Sequence, residues 1–194
     1  MTPALFESDP ALSPDGSQLA FTRSGVTDGI PKLWLAAGDA SGAHAGAPSL
    51  GTVGSADAAP RWTREGTRLA FVSTASGTSQ LYALVRTSGT VSPLGVSAGP
   101  NVSPAWNAAG TALAFSSARS GAPGLYQTDA TTAGAVWLVR GSVGEPSWTT
   151  DGRIVFTTYE TGTSRLRWVE ASDPATIHEI DTGAGSAAHP AVVP

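Results

Sequence analysis

The 194-residue chain contains no cysteine and few charged residues. The absence of cysteine excludes disulfide bonds, thiolate zinc sites and cysteine nucleophiles. Charged side chains make up 13% of the sequence, about half of the usual share. The formal net charge of −4 argues against a nucleic-acid partner, because binding to a phosphate backbone needs a basic surface.

Long apolar runs are also missing. No stretch approaches the roughly 18 apolar residues of a membrane-spanning helix, so we expect no membrane insertion. The N-terminus has neither a basic segment nor an apolar core, and no signal peptide is expected. Apolar residues do not recur at helical spacing, and turn residues interrupt the chain about every dozen residues. These features predict an all-β fold.

The sequence instead contains one pattern four times. Each copy begins with a proline, and a phenylalanine follows after eleven residues, or after ten in the fourth copy. A glycine then precedes a leucine by four residues. The prolines that begin the copies are Pro10, Pro60, Pro104 and Pro146, and a fifth copy starts at Pro190. A period of about 40–50 residues is typical of solenoids and propellers.

Each copy is predicted to form four short strands. The proline opens the first strand, because a missing N–H is best tolerated there. A glycine turn precedes the apolar second strand, such as Leu69–Ser73, and a second glycine turn precedes the third, such as Gln80–Val85. The fourth strands are expected at 49–53, 91–95, 136–139 and 176–180. The insert 39–47, rich in Ala, Gly and Ser, is predicted to be a mobile loop.

These motifs resemble the repeat of the TolB-type β-propellers. The shared features are Pro-x-Trp, Ser-Pro-Asp-Gly at 13–16, Leu-Ala-Phe and Gly-x-x-x-Leu-Tyr. The resemblance covers residues 9–194 and implies four-stranded antiparallel blades around a central channel, with the Pro-x-Trp strand innermost. We expect blades at 9–56, 57–101, 102–143 and 144–187, and one extra strand at 188–194. The resemblance also implies binding or scaffolding at the bacterial cell envelope or periplasm, or a propeller fused to a hydrolase.

Propellers of this family usually close with six to eight blades, and this chain is predicted to have four blades and one additional strand. Terminal repeats need capping, yet the end copies carry apolar residues such as Leu12 and Trp148. Two explanations stay open: the chain is a piece of a longer propeller, or two copies form a homodimer that completes a ring.

The tryptophans at a fixed place in the repeat are interpreted as packing between blades, because each buries a large apolar area. These residues are Trp62, Trp106 and Trp148. A role in carbohydrate stacking is the alternative. Trp168 lies one residue later in its copy than Trp34 and Tyr82, so it is expected on the opposite face of its blade.

The candidate site residues fall into two groups. The residues just before the repeat's proline would ring one mouth of the channel, where Asp9, Glu145 and His189 could hold a cation or polar ligand; a solvated rim is the alternative. The second group belongs to the hairpins and blade connections, where propellers usually bind. Its members are Arg23, Asp28, Asp57, Arg119, Tyr159 and Glu160. These residues differ between the copies, as a binding face would show. Loop variation without selection would produce the same differences.

No catalytic constellation is found, and no cofactor or metal is expected. The sequence favours a non-catalytic binding or scaffold module that contacts a protein partner, or a second copy, through its loop face. The alternative is the propeller portion of a prolyl-oligopeptidase-like peptidase whose catalytic domain is absent from this chain. A third possibility, a sugar-active or lactone-active propeller enzyme, requires several acidic residues at the channel mouth, and only Asp9 and Glu145 qualify.

Overall fold

The computed structural model describes residues 6–24, 29–39, 44–45, 55–95, 98–121, 123–130, 134–183 and 185–191. The described strands form four antiparallel sheets of four strands, each in sequential order. The first sheet contains β1 (Glu7–Leu12), β2 (Gln18–Ser24), β3 (Pro31–Ala37) and β4 (His44–Ala45). The second contains β5 (Asp57–Trp62), β6 (Arg68–Ser73), β7 (Gln80–Val85) and β8 (Val91–Pro93).

The third sheet contains β9 (Asn101–Trp106), β10 (Ala112–Ser117), β11 (Gly124–Asp129) and β12 (Val136–Arg140). The fourth contains β13 (Val143–Trp148), β14 (Arg153–Glu160), β15 (Thr163–Glu170) and β16 (Asp173–Glu179). The chain divides into two compact units, Met1–Pro93 with the first two sheets and Leu94–Pro194 with the last two. The described segments contain the short 3-10 turn Arg119–Gly121 and no helix that is long and apolar enough to span a membrane. The predicted all-β architecture of four-stranded antiparallel blades is confirmed.

Every first strand contains a β-bulge at the repeat's proline. The proline and the residue before it together oppose a single residue of the second strand, as at Asp9-Pro10, where Ser8 pairs with Thr22 and Ala11 with Ala20. The prediction that the proline opens the strand was therefore wrong, since three strand residues precede it. The bulge lets proline stand inside a strand, because the ladder is already interrupted there.

The residue before each proline adopts a positive φ angle. These residues are Asp9, Ala59, Ser103, Glu145 and His189, with φ between 50° and 57°. They are the positive-φ residues other than glycine among the described residues. The common φ at His189 extends the repeat register to the fifth copy. Residues 188–191 nevertheless form no strand, and residues 192–194 of the expected extra strand lie outside the described part.

The weakly patterned fourth strands were located in three of the four copies. β8, β12 and β16 overlap the expected segments, whereas 49–53 lies outside the described residues. In the first sheet, His44–Ala45 pairs with Leu35 and Ala36. This pairing falls inside the insert that was predicted to be a loop. The edge of a sheet is a template for strand pairing, and the two-residue strand occupies part of the edge of β3.

Each unit has a core formed by the facing sides of its two sheets. In the first unit, Ala20 and Leu33 pack with Leu69, Phe71 and Leu84 of the second sheet. The second unit contains the equivalent cluster of Ala114, Leu125, Val139, Ile154, Phe156 and Val169. The second strands are the most deeply buried part of each sheet, and in β6 and β10 every residue after the first is buried.

The repeat's tryptophans are buried or half-buried. Trp106 is 8% exposed, while Trp62 and Trp148 are half-buried and pack against the cores of their units. The indole N–H of Trp62 donates to the carbonyl of Ala11 in the neighbouring sheet at 3.0 Å. Trp168 pairs with Val155 rather than with Phe156 and stacks on His178. Its predicted position on the opposite face is confirmed.

The Ser-Pro-Asp-Gly turn is held by the Asp15 carboxylate. The Ser13 hydroxyl donates to this carboxylate at 2.6 Å and accepts the N–H of Gln18. Arg86 of the second sheet also reaches Asp15 at 3.0 Å. These hydrogen bonds, led by that from Ser13, hold the pKa of Asp15 well below its usual range. The turn therefore closes the first hairpin and links it to the next sheet.

Candidate functional site

The described candidate residues of both groups lie at the same edge of their sheets. We call this the hairpin edge, the end of each sheet that carries the turn between its second and third strands. Antiparallel pairing places the start of each first strand beside the end of the second, as in the pairs Glu7 with Arg23 and Val143 with Thr158. The residue before the proline therefore lies near the hairpin residues. The sequence had indicated two separate groups and not this proximity.

Glu145 is the centre of a side-chain cluster at the hairpin edge of the fourth sheet. One carboxylate oxygen accepts hydrogen bonds from the Tyr159 hydroxyl at 3.1 Å, the Thr157 hydroxyl at 3.3 Å and the His189 backbone N–H at 3.3 Å. The other lies 3.0 Å from Nδ1 of His189. The structure thus brings together three predicted residues, Glu145, Tyr159 and His189. Thr157 was missed, because a hydroxyl in a β-strand carries no distinctive sequence signal.

The Glu145 cluster presents two rings to solvent, and each ring contacts the Glu145 carboxylate. The His189 side chain is 80% exposed, and Tyr159 is 43% exposed. Partial burial raises the pKa of the Tyr159 hydroxyl, and its hydrogen bond to the Glu145 carboxylate and the charge of that carboxylate raise it further. Tyrosine therefore stays neutral and serves as a donor, while Glu145 orients both aromatic rings.

Asp9 makes the equivalent contact in the first unit. Its Oδ2 lies 3.4 Å from the backbone nitrogen of Ala59, the residue at the same repeat position in the next sheet. The Thr22 hydroxyl is 3.5 Å from the same oxygen. Glu145 and His189 show the same relation between successive copies. An acidic residue before the proline thus accepts the N–H of its counterpart in the following copy.

Two arginines lie over aromatic rings at the hairpin edge. The Arg23 guanidinium is 4.9 Å from the centre of the Trp34 ring and donates to Glu7 at 2.8 Å. The Arg119 guanidinium is 4.8 Å from the centre of the Tyr126 ring and donates to the side-chain Oδ1 of Asn101 at 2.8 Å. Burial lowers the pKa of Arg119 from its ordinary value, but an arginine remains charged. Both guanidinium groups are already engaged within their own sheets.

Asp57 occupies a different environment from the one expected. It is the first residue of β5 and is fully buried, so its carboxylate does not lie on the loop surface. Its Oδ2 accepts the backbone N–H of Leu33 in the preceding sheet at 3.1 Å. Asp57 therefore braces one sheet against the next. The sequence did not reveal the burial of Asp57, because Glu7, the residue at the same repeat position in the first sheet, is exposed.

The remaining candidates contribute less to the site. Glu160 is exposed and forms an ion pair with Arg167 at 2.6 Å. Asp28 lies outside the described residues. Within the described segments, no group of three or more His, Cys, Asp or Glu side chains is arranged to hold a metal ion. Glu145 and His189 are two side chains of these types, and they contact each other.

A family profile described as the TolB beta propeller domain matches residues 5–194. The crystal structure of TolB from Acinetobacter baumannii superimposes with a TM-score of 0.78 at 21% identity, covering 93% of this chain and 44% of that protein. No curated protein sequence matches the chain.

Two solved enzymes share the fold. An oligogalacturonate lyase in complex with manganese has a TM-score of 0.72 at 13% identity, with 95% of this chain and 56% of that chain covered. A puromycin-hydrolysing peptidase from Mycobacterium tuberculosis has a TM-score of 0.68 at 18% identity, with 90% and 28% covered. The chain thus spans less than two thirds of each of these proteins. Since the family profile matches nearly the whole sequence, the chain belongs to the TolB β-propeller domain family.

Proposed function

We propose that the chain is a non-catalytic binding module that contacts a protein partner through the hairpin edge. The observation that carries this proposal is the Glu145 cluster, in which one carboxylate fixes the Tyr159 hydroxyl and the His189 imidazole. Tyrosine is enriched among the residues that dominate protein interfaces. A ring that is oriented before binding loses little conformational entropy when the partner arrives. The cluster therefore suits recognition better than proton transfer.

The electrostatics of the cluster also favour recognition. One Glu145 oxygen accepts hydrogen bonds from three groups of the protein. This oxygen is therefore poorly placed to take a proton from a substrate. The exposed parts of Tyr159 and His189 offer an aromatic surface with polar tips. A partner with a flat apolar patch and hydrogen-bonding groups at its margin would match this surface. That partner is another protein or a second copy of the chain.

The test is capture of partners by the immobilised chain, followed by calorimetry with the purified partner. Tyr159→Ala should weaken binding at least tenfold, because truncating a central aromatic anchor commonly costs about 2 kcal/mol or more. Val136→Ala is the matched control, since Val136 is 66% exposed on the outer strand β12. Equal affinity of the wild type and Tyr159→Ala would contradict the proposal.

A second candidate function is the propeller portion of a larger hydrolase. The observation that favours it is the fold shared with the puromycin-hydrolysing peptidase, of which this chain covers 28%. Under this proposal the hairpin edge would contact a catalytic domain of the same polypeptide. Reading the parent gene tests it: a downstream hydrolase domain would support this function, and a gene that ends without one would contradict it.

A further inference from the structure

On the basis of the binding role above, we propose that the Glu145 cluster receives an arginine side chain of the protein partner. The guanidinium of that arginine pairs with the Glu145 carboxylate and stacks on the Tyr159 ring. Two arginine sites within the same chain show the arrangement that the partner would complete.

In two places of the chain, a guanidinium pairs with a glutamate beside a tryptophan ring. The two sites consist of Glu7, Arg23 and Trp34 in the first sheet and of Glu170, Arg153 and Trp168 in the fourth. The guanidinium lies 4.9 Å from the ring centre in the first site and 4.6 Å in the second. A cation is attracted to the face of an aromatic ring, and the carboxylate adds a charge-assisted hydrogen bond. Each site thus has three parts, which are an acid, a ring and a guanidinium.

The Glu145 cluster contains the acid and the ring without the guanidinium. The Tyr159 hydroxyl donates to Glu145 at 3.1 Å, so the ring and the carboxylate lie side by side. Within the described segments, Glu145 is contacted by two hydroxyl groups, a backbone N–H and an imidazole, and by no arginine or lysine. Thr158 takes the repeat position of Arg23 in this sheet. The third part of the site is therefore not provided by these residues.

The charge of the cluster favours a cation. With histidine neutral at pH 7, the cluster carries the single negative charge of Glu145. The Glu145 side chain is 32% exposed, so a group from outside can approach its carboxylate. In the first sheet, Arg23 neutralises Glu7 at the same edge. A basic group of the partner would neutralise Glu145 in the corresponding way.

The hydrogen-bonding capacity that remains in the cluster belongs to acceptors. A carboxylate only accepts, so Nδ1 of His189 is the donor to Oε1 and Nε2 of the neutral ring is an acceptor. The Tyr159 hydroxyl donates its proton to Oε2 and keeps its lone pairs. Oε2 accepts three hydrogen bonds, whereas Oε1 contacts only His189. The matching group is therefore a donor, and a guanidinium carries five N–H donors.

Gly144 makes room for the Tyr159 ring beside the carboxylate. A Cβ atom at position 144 would lie 3.0 Å from Cε2 and 3.2 Å from the hydroxyl oxygen of Tyr159, so a side chain there would displace the ring. The other copies carry side chains at this repeat position, namely Ser8, Ala58 and Val102. Tyr159 remains 43% exposed, which leaves part of its ring available for stacking.

Arginine fits this arrangement better than lysine does. The guanidinium is planar, so it stacks on a ring with its face and donates to a carboxylate with its edge. The ammonium of lysine is a compact and strongly hydrated charge without a flat face. The neighbouring acid and ring of the Glu145 cluster therefore match arginine.

The test is a titration of the full ¹⁵N-labelled chain with two blocked tripeptides, acetyl-Gly-Arg-Gly-amide and the same peptide with citrulline. Citrulline has nearly the shape of arginine but no charge. The arginine peptide should shift the backbone amide signals of Glu145, Tyr159 and His189, and it should bind about three- to tenfold more tightly than the citrulline peptide. Equal affinities, or shifts confined to other parts of the chain, would overturn the proposal. This comparison uses the wild type and does not depend on the folding of a variant.

Variants of the cluster test which groups receive the arginine. Glu145→Gln should reduce the affinity for the arginine peptide to that for the citrulline peptide, and Tyr159→Leu should also weaken binding. Asp173→Asn is the matched control, because it removes an exposed carboxylate at the opposite end of the same sheet. Circular dichroism confirms that each variant is folded. Unchanged affinity of Glu145→Gln for the arginine peptide would overturn the proposal.

The peptide experiment and the capture experiment can fail separately. If capture of a partner depends on Tyr159 but the chain does not distinguish arginine from citrulline, the binding role stands and the arginine site is overturned. If the chain selects the arginine peptide but Tyr159→Ala does not weaken partner binding, the arginine site stands and the proposed binding role is contradicted.

Discussion

At the scale of single residues, the position before each repeated proline has a backbone role and a variable side chain. Five different residue types, Asp, Ala, Ser, Glu and His, adopt the same positive φ there. Positive φ is unfavourable for residues with a Cβ atom. In four copies it occurs within a bulge of the first strand, and His189 adopts it outside a strand. The side chain is consequently free to differ, and in two copies it is an acid that contacts the following copy.

Replacing one of these residues by glycine should stabilise the protein. Ala59 has a φ of 50°, and glycine adopts this conformation without steric cost. We expect Ala59→Gly to raise the free energy of unfolding by up to about 1 kcal/mol in urea titrations. Ala58→Gly, one residue earlier in the same strand, is the control and should lower it by about 0.5–1 kcal/mol. Equal destabilisation by both variants would contradict the assigned backbone conformation.

The Tyr159 hydroxyl should titrate at higher pH than an ordinary tyrosine. Burial and the Glu145 carboxylate raise its pKa, so the folded state holds this proton more tightly than the unfolded state does. The resulting stabilisation is complete below the unfolded pKa of about 10 and decreases as pH rises through the folded value.

Ultraviolet absorbance of tyrosinate measures this shift. Glu145→Gln should lower the pKa of Tyr159 toward its ordinary value, and Tyr159→Phe identifies its contribution among the three tyrosines of the chain. An unchanged titration curve in Glu145→Gln would show that the carboxylate does not act on the hydroxyl.

Sequence reasoning located some of these residues and misjudged others for physical reasons. The repeat register placed Glu145 and His189 at equivalent positions, and they lie 3.0 Å apart. The register did not reveal that Tyr159 joins them, since this depends on strand pairing. It also gave no indication that Asp57 is buried, because burial there is determined by the neighbouring sheet.

At the scale of elements, Asp57 connects two sheets through one hydrogen bond. The Leu33 N–H donates to its carboxylate in a fully buried environment. Asp57→Ala leaves this N–H without a partner and should cost about 1–3 kcal/mol in urea titrations. Asp57→Asn retains the acceptor oxygen, as Asn101 does at the equivalent position of the third sheet, and should cost much less. Equal losses in both variants would mean that the hydrogen bond is not the stabilising feature.

Trp106 tests the packing of the first strands. Its indole is 8% exposed, and removing a buried tryptophan side chain typically costs about 3–5 kcal/mol. We expect this loss for Trp106→Ala in chemical denaturation, with Val136→Ala as a nearly neutral comparison. A loss under about 1 kcal/mol would indicate that Trp106 is not part of the core.

Element boundaries were predictable where the sequence is strongly patterned. The third strand Gln80–Val85 was predicted with its observed bounds, because turn residues flank it and apolar residues fill it. The pairing of His44 and Ala45 was not predictable, since an Ala- and Gly-rich segment has no strand pattern. The bulges were missed as well, because the repeated proline was interpreted as a strand opening and not as the second residue of a bulge.

At the scale of the whole molecule, the sequence determines a repeated sheet, and the neighbouring sheet determines how deeply it is buried. Four copies share their bulge, their hydrogen-bonded turn and, apart from one residue in the fourth copy, their spacing. This regularity allowed the family to be inferred from the residues. The repeat alone does not specify a partner, because the side chains at the hairpin edge differ between copies. Glu145, Tyr159 and His189 form a cluster there, and the other copies do not contain the same set.

Hydrogen exchange of dilute protein, read by mass spectrometry, tests this account most directly. β1 and β5 occupy the same position in the repeat and contain the same bulge, and each pairs antiparallel with the second strand of its own sheet. The account predicts that backbone amides of β1 exchange much faster than those of β5, because β5 alone is covered by a neighbouring sheet within its unit. Equal protection of both strands in dilute solution would contradict it.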